Sequence, residues 1–252
     1  MRFVFDLDGT ICFKGQPISD RLVQSIDRLL ERGHEVIFAS ARPIRDMLPV
    51  VNEKFHNYYL IGGNGSLVSK EGENVHVNSF SSEQVQAIMS LIKEYQATYL
   101  IDSDWDYAYT GGMDHPILNN LDTLKIAKKI PLESLDKIVK VLILSSTNAE
   151  ELSEKLVPLD VVIHKHSNEN LIDISPKNIH KWSALQKIGT TEKEFIAFGN
   201  DANDISMFKE ACYSVRIGNH EELGKYADET ISLEGDYEQK IVAKLEELSL
   251  NY

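Results

Sequence analysis

Phe3-Val4-Phe5-Asp6-Leu7-Asp8-Gly9-Thr10 carries three apolar residues straight into two carboxylates spaced i, i+2. A short apolar run closed by Gly and Thr reads as a buried strand that stops at a turn. Strand residues alternate faces, so Asp6 and Asp8 leave on the same side. Two carboxylates held that close destabilise each other unless a cation or a proton lies between them. In an open α/β sheet the carboxyl end of a strand is also where ligands bind. The pair therefore points to a Mg²⁺-assisted site in which one carboxylate attacks and the other handles protons. A Ca²⁺ loop opens with the same D-x-D-G string. Its final position needs a bidentate Glu, however, and here that position is Pro17. A solvated acidic turn is the remaining alternative, and the rest of the chain discriminates.

Three more stretches follow the same plan. His34-Glu35-Val36-Ile37-Phe38-Ala39-Ser40-Ala41-Arg42-Pro43 is a β-rich run closing on Ser40. That hydroxyl and the N–H groups after it make a natural clamp for phosphoryl oxygens. Ile172-Asp173-Ile174-Ser175-Pro176-Lys177-Asn178-Ile179-His180-Lys181-Trp182 leads from a strand toward a helix and holds two lysines four apart. Phe195-Ile196-Ala197-Phe198-Gly199-Asn200-Asp201-Ala202-Asn203-Asp204 is an apolar strand followed by a cluster of amides and carboxylates. A helix cap needs one such residue, and this segment has four.

Taken in order, the four stretches resemble the haloacid dehalogenase (HAD) superfamily, and its Cof-type phosphatases in particular. The resemblance spans residues 6 to 204. It implies that Asp6 is the nucleophile and Asp8 the general acid/base. It also implies that Ser40, the Ala41 N–H, Lys181 and Asn203 hold the phosphoryl group, with Lys177 a surface residue. Mg²⁺ would be held by Asp6, the Asp8 carbonyl and Asn200, with Asp204 completing the metal site through water. The chain departs from the family pattern at three points. Ser40-Ala41-Arg42 stands where T-G-R is usual, and Trp182 where a Gly follows the Lys. Asn200 replaces a metal-binding Asp, and a shift of one residue would bring Asp201 there instead. The implied function is a Mg²⁺-dependent phosphatase acting on a small phosphorylated metabolite, such as a sugar phosphate, through an aspartyl-phosphate. A sugar phosphomutase and a non-catalytic phosphate-binding protein are the alternatives.

Composition fits. A 252-residue chain can bury a large core in one or two domains. Net charge is −13 and the pI about 5.1, and no basic stripe exists to neutralise nucleic-acid phosphates or anionic membranes. Cys12 and Cys212 lie in unrelated contexts, and no signal or membrane-length apolar run is visible. The expectation is a cytoplasmic protein, with oligomeric state left open.

The pattern of strands and helices predicts a doubly wound parallel sheet, the Rossmann-like HAD core, over 1–80 and 178–252. Expected core strands are 2–6, 35–40, 58–61, 194–199 and 213–217, with a short one near 230. Residues 81–177 read as an α+β insertion that resembles the C2B cap. It should hold a helix from Ser81, strands near 98–101, 106–110 and 138–144, a helix near 119–129, a helix from Asn148, and strands at 160–165 and 170–174. Trp105, Tyr107 and Tyr109 alternate and would share one face. Trp105 and Tyr107 are the candidates for lining the substrate cleft, and packing under the cap helices is the competing role. His115, His164 and His166 lie in the same insertion, without metal-ligand spacing.

Overall fold

Burial in the computed structural model, which describes residues 1–165 and 171–252, explains the fold strand by strand. Strand β1 (Arg2–Phe5) lies at the centre of an eight-stranded sheet. Phe3 and Phe5 point to one side, onto helices α1 (Asp20–Glu31) and α8 (Tyr237–Asn251). Val4 points to the other, onto α5 (Lys181–Lys187), α6 (Ile205–Phe208) and α7 (Glu221–Gly224). A strand buried on both faces must be apolar throughout, which is why the run carries no polar alternation. Helix α1 is cut to fit. The Ser19 hydroxyl caps it by accepting from the Leu22 N–H, and Leu22, Val23, Ile26 and Leu29 bury its inner face.

The remaining strands of this sheet are β2 (Glu35–Ala39), β3 (Tyr59–Gly62), β4 (Leu67–Lys70), β5 (Glu73–Val77), β11 (Phe195–Gly199), β12 (Tyr213–Ile217) and β13 (Glu229–Ile231). Their spatial order is β13-β12-β11-β1-β2-β3-β4-β5. The pairs from β13 to β3 are parallel. The β4–β5 hairpin extends the edge in antiparallel sense. That hairpin was not expected. Its signal is Glu71-Gly72, both at positive φ, between two short β-rich runs.

A smaller antiparallel sheet runs β7-β6-β8-β10-β9. Its strands are β6 (Thr98–Asp102), β7 (Tyr107–Tyr109), β8 (Lys140–Ser145), β9 (Val162–Lys165) and β10 (Ile172–Ser175). Helices α3 (Ser82–Glu94) and α4 (Ala149–Leu156) cover one face, packing on Ile101, Val141, Ile143 and Ile174. Strand alternation sends Leu100, Asp102, Lys140, Leu142 and Asp173 to the opposite face. The expected capping box of α3 is present, with Ser81 and Gln84 reciprocally bonded.

The helix expected near 119–129 does not form. A short 3₁₀ turn, Pro116–Asn119, gives way to irregular chain. Asp122 explains it: its φ is +45°, and its Oδ1 accepts from the Ile126 and Ala127 N–H groups, taking donors a helix would need. His166 and residue 170, the expected start of the last strand of the insertion, lie outside the described residues. Among the described residues no helix is long and apolar enough to cross a membrane.

Candidate active site

The chain places its polar residues where parallel strands end. Asp6 follows β1, Ser40 follows β2 and Asn200 follows β11. These three strands are neighbours in register, Phe5 lying beside Phe38 and Phe198. Lys181 arrives from a fourth direction, as the first residue of α5.

The centre is a buried triad of charges. Lys181 Nζ lies 2.6 Å from Asp6 Oδ1 and 2.7 Å from Asp204 Oδ1, and its side chain is 0 % exposed. Burial pulls the ammonium toward neutrality, but Asp204 and Asp6 more than offset this and raise its pKa. Burial, reinforced by the charge on Asp204, pushes the Asp6 carboxyl up to about 7 against the opposing pull of Lys181. Asp6 Oδ2 accepts from the Thr10 hydroxyl at 2.7 Å. Thr10 Oγ1 also lies 3.3 Å from Asn200 Oδ1, so the Asp6 and Asn200 oxygens converge on one hydroxyl.

Asn200 and Asp201 face different ways. A Cβ on Gly9 would come within 2.1 Å of Asn200 Nδ2, so the amide lies directly against the turn after Asp6. Asp201 instead accepts from the Ala202 N–H at 2.7 Å and lies 3.2 Å from His220 Nε2, away from that turn. Asp204 uses both oxygens internally: Oδ1 on Lys181, and Oδ2 on the Asn200 and Asp201 N–H groups. It braces the loop and holds Lys181.

Asp8 is half-exposed and gripped by Arg42, whose Nε and Nη2 each donate at 2.7 Å to one carboxylate oxygen. The Ser40 hydroxyl is buried and accepts from the Arg42 N–H at 3.1 Å. Asn203 donates from Nδ2 to Asn64 Oδ1 at 3.1 Å. Lys177 is exposed and paired with Asp160. Cys12 is buried beside Asp8, and burial pushes its thiol well above the usual range. Trp182 points away from the triad. Its ring stacks on Phe195 at 5.5 Å, within the apolar layer under α5.

A cavity of about 250 Å³ opens beside Asp8 and Arg42. The segment after β2 contributes Ala41, Pro43 and Asp46 to its wall, and the smaller sheet contributes Leu100, Asp102, Lys140, Leu142 and Asp173. Trp105 and Tyr107 are not in that wall. Trp105 precedes β7, packs on the core and donates from Nε1 to the Ile126 carbonyl. Tyr107 lies under the Arg45 guanidinium, 4.8 Å from ring centroid. The structure places both rings between the two sheets and not in this wall. Arg45, in the short helix α2 (Ile44–Met47), joins the two sheets from the core side. It is buried, pairs with Asp46 and Asp102, and donates to the Trp105 carbonyl.

Several of these residues were not among the expected site residues: Arg42, Arg45, Asp46, Asn64, Asp102, Lys140 and Asp173. Asn64 carried a signal, a residue tolerant of positive φ inside a Gly-rich turn (its φ is +59°). The others are ordinary charges along the chain until strands distant in sequence meet.

A model of the haloacid dehalogenase-like hydrolase family matches residues 3–236. The chain belongs to that family. The HMP-PP phosphatase of Klebsiella pneumoniae is 24% identical over 231 residues, covering 85% of this chain and 83% of its own. The 5-amino-6-(5-phospho-D-ribitylamino)uracil phosphatase of Bacillus subtilis is 23% identical over 231 residues, 85% of each chain. Among solved structures, a HAD subclass IIB sugar phosphatase superposes with a TM-score of 0.80 at 17% identity, over 99% of both chains. The fold is that of subclass IIB, and the chain is a phosphoric monoester hydrolase of the family.

Proposed function

We propose that this hydrolase removes the phosphoryl group from a small phosphorylated metabolite with the help of Mg²⁺, through an acyl phosphate on Asp6. The observation that carries this reading is the buried Lys181–Asp6 contact at 2.6 Å, with Asp8 two residues further on in the wall of an open cavity. The residues fit a hard divalent cation. Asp6 and Asn200 bring a carboxylate and an amide oxygen to one hydroxyl, and oxygen donors of this kind suit Mg²⁺. By the family resemblance, the donor set would be Asp6, the Asp8 carbonyl and Asn200. When bound, Mg²⁺ supplies charge stabilisation for the phosphoryl oxygens and for Asp6.

Asp6 attacks phosphorus, the bond to the leaving oxygen breaks, and Asp8 gives that oxygen a proton. Asp8 then takes a proton from water, the water oxygen attacks phosphorus, and the Asp6–phosphorus bond breaks to release inorganic phosphate. Both Asp8 oxygens are on Arg42, so Asp8 must leave Arg42 to reach the leaving group. Lys181, Ser40, the Ala41 N–H and Asn203 hold the phosphoryl oxygens, and catalysis consists of positioning and charge stabilisation.

In this reading the unit of residues 81–177 is the cap, and 1–80 with 178–252 is the catalytic core. The cavity between them takes the leaving group. Relatives that act on HMP-PP and on a phosphoribitylaminouracil support a small metabolite as substrate. The experiment is hydrolysis of p-nitrophenyl phosphate and a panel of phosphorylated metabolites, with and without Mg²⁺. Mg²⁺-dependent release of inorganic phosphate is expected, and no release from any of them contradicts the reading.

A further inference from the structure

Five polar groups form a continuous chain through the interior. Asn203 Nδ2 donates to Asn64 Oδ1 at 3.1 Å, and Asn64 Nδ2 donates to Asp173 Oδ2 at 3.2 Å. Lys140 Nζ lies 3.0 Å from the same Asp173 oxygen and donates to the Ala41 carbonyl at 2.8 Å. The Asn64 N–H also bonds the Ser40 carbonyl at 3.0 Å. Asn64 and Asp173 are 0 % exposed and Lys140 7 %. Both ends of the chain are phosphate-holding residues in the proposed function, Asn203 and Ala41. Its middle, Asp173 and Lys140, belongs to the smaller sheet and lines the cavity.

The chemistry of the chain gives it a direction. An ionised carboxylate only accepts, so Asp173 obliges Asn64 to turn its NH₂ toward the smaller sheet. The Asn64 oxygen must then face Asn203, which in turn must present its own NH₂. That amino group has two N–H bonds. One goes to Asn64, and the other is left pointing with its donor polarity set, as a phosphoryl oxygen requires. Lys140 keeps the buried Asp173 charge compensated and at the same time pins the Ala41 peptide.

We infer that Asn64 is a positioning residue. It transmits the orientation set by the cavity-lining pair Asp173–Lys140 to the phosphate-holding amide of Asn203. The inference rests on the proposed function for the role of Asn203. It adds that phosphate affinity is fixed from the smaller sheet, so that a leaving group that disturbs Asp173 weakens the hold on its own phosphoryl group.

The test is binding of inorganic phosphate with saturating Mg²⁺, followed by calorimetry on the full chain, for Asn64→Gly, Asn203→Ala and the double variant. Glycine is chosen because position 64 has φ +59°, which alanine would strain. Each single variant should weaken phosphate binding about tenfold, and the double variant should bind no more weakly than Asn203→Ala alone, because Asn64 acts through Asn203. Losses that multiply to about a hundredfold overturn the inference, as does unchanged binding in either single variant. Should Asn64→Gly not fold, Asn64→Asp tolerates the same φ but cannot donate to Asp173, and it should weaken binding likewise. Unchanged binding in that variant overturns the inference equally. Phosphate binding is read without turnover. A parent that binds phosphate but hydrolyses no ester therefore fails the hydrolytic reading while the positioning role is still decided by the cycle.

Discussion

Lys181 is held at 0 % exposure by two carboxylates that would repel each other without it. Removing one partner of a buried charge group leaves the rest uncompensated, at roughly 3–5 kcal/mol. Lys181→Met should therefore lower stability on that scale and cost at least about a hundredfold in kcat, in line with losing a preorganised charge. Lys177→Met should leave kcat within about twofold, because Lys177 is exposed in a surface pair. Kinetics and thermal unfolding of the two variants check this, and the opposite pattern contradicts it. Asp6 gives a pH signature. Its folded pKa, about 7, lies above its ordinary 3.8, so the fold favours its neutral form. The metal-free protein accordingly loses stability as pH rises through that window, and a cation needs the ionised form. The upward shift in melting temperature given by a fixed Mg²⁺ concentration should be larger near about pH 8 than near about pH 6. An equal or reversed shift contradicts the placement of Mg²⁺ on Asp6. Asp6, Lys181 and Asn200 were legible in the sequence because each sits in a short motif at a strand or helix end. Arg42 was legible only as part of the string around Ser40; its bidentate grip on Asp8 depends on two loops meeting.

The turn between β1 and α1 shows how an element sets the site. Gly9 has φ +80°, and its Cα faces Asn200 with no room for a side chain. Gly9→Ala adds backbone strain and drives the Asn200 amide away from Asp6 and Thr10. The Mg²⁺ concentration for half-maximal activity should rise about tenfold, one ligand's worth of contact, with kcat at saturating Mg²⁺ less affected. An unchanged requirement would remove Asn200 from the metal site. The same scale shows where reading elements from sequence succeeds. Strands buried on both faces, such as β1, β2 and β11, announce themselves as unbroken apolar runs. Hairpin strand β5 does not, because it lies at the sheet edge with most of its residues exposed. At 119–129 the apolar spacing suits a helix, but Asp122 captures the local N–H groups. Side-chain competition of that sort is invisible to periodicity.

Across the whole molecule the two sheets are joined by buried charge. Arg45 spans them, paired at 3.2 Å with Asp46 on its own side and at 2.5 Å with Asp102 on the other, beneath Tyr107. Arg45→Met strands both carboxylates and should destabilise the protein by roughly 3–5 kcal/mol in chemical denaturation. Arg45→Lys should recover part of this, since an ammonium lacks the planar fork that reaches Asp46, Asp102 and the Trp105 carbonyl together. A change below about 1 kcal/mol in Arg45→Met contradicts the anchoring role. Contacts of this reach join residues about sixty positions apart, and a linear pattern holds no trace of them.

The central claim is that Asp6 carries the phosphoryl group. It is tested most directly by quenching the enzyme during Mg²⁺-supported turnover of p-nitrophenyl phosphate and reducing the product with borohydride, which converts an acyl phosphate to an alcohol. Peptide mass spectrometry should then find homoserine at position 6, dependent on Mg²⁺ and absent from Asp6→Asn, which should also show no turnover. Sustained turnover with position 6 unmodified, or the modification at another carboxylate, would contradict the account.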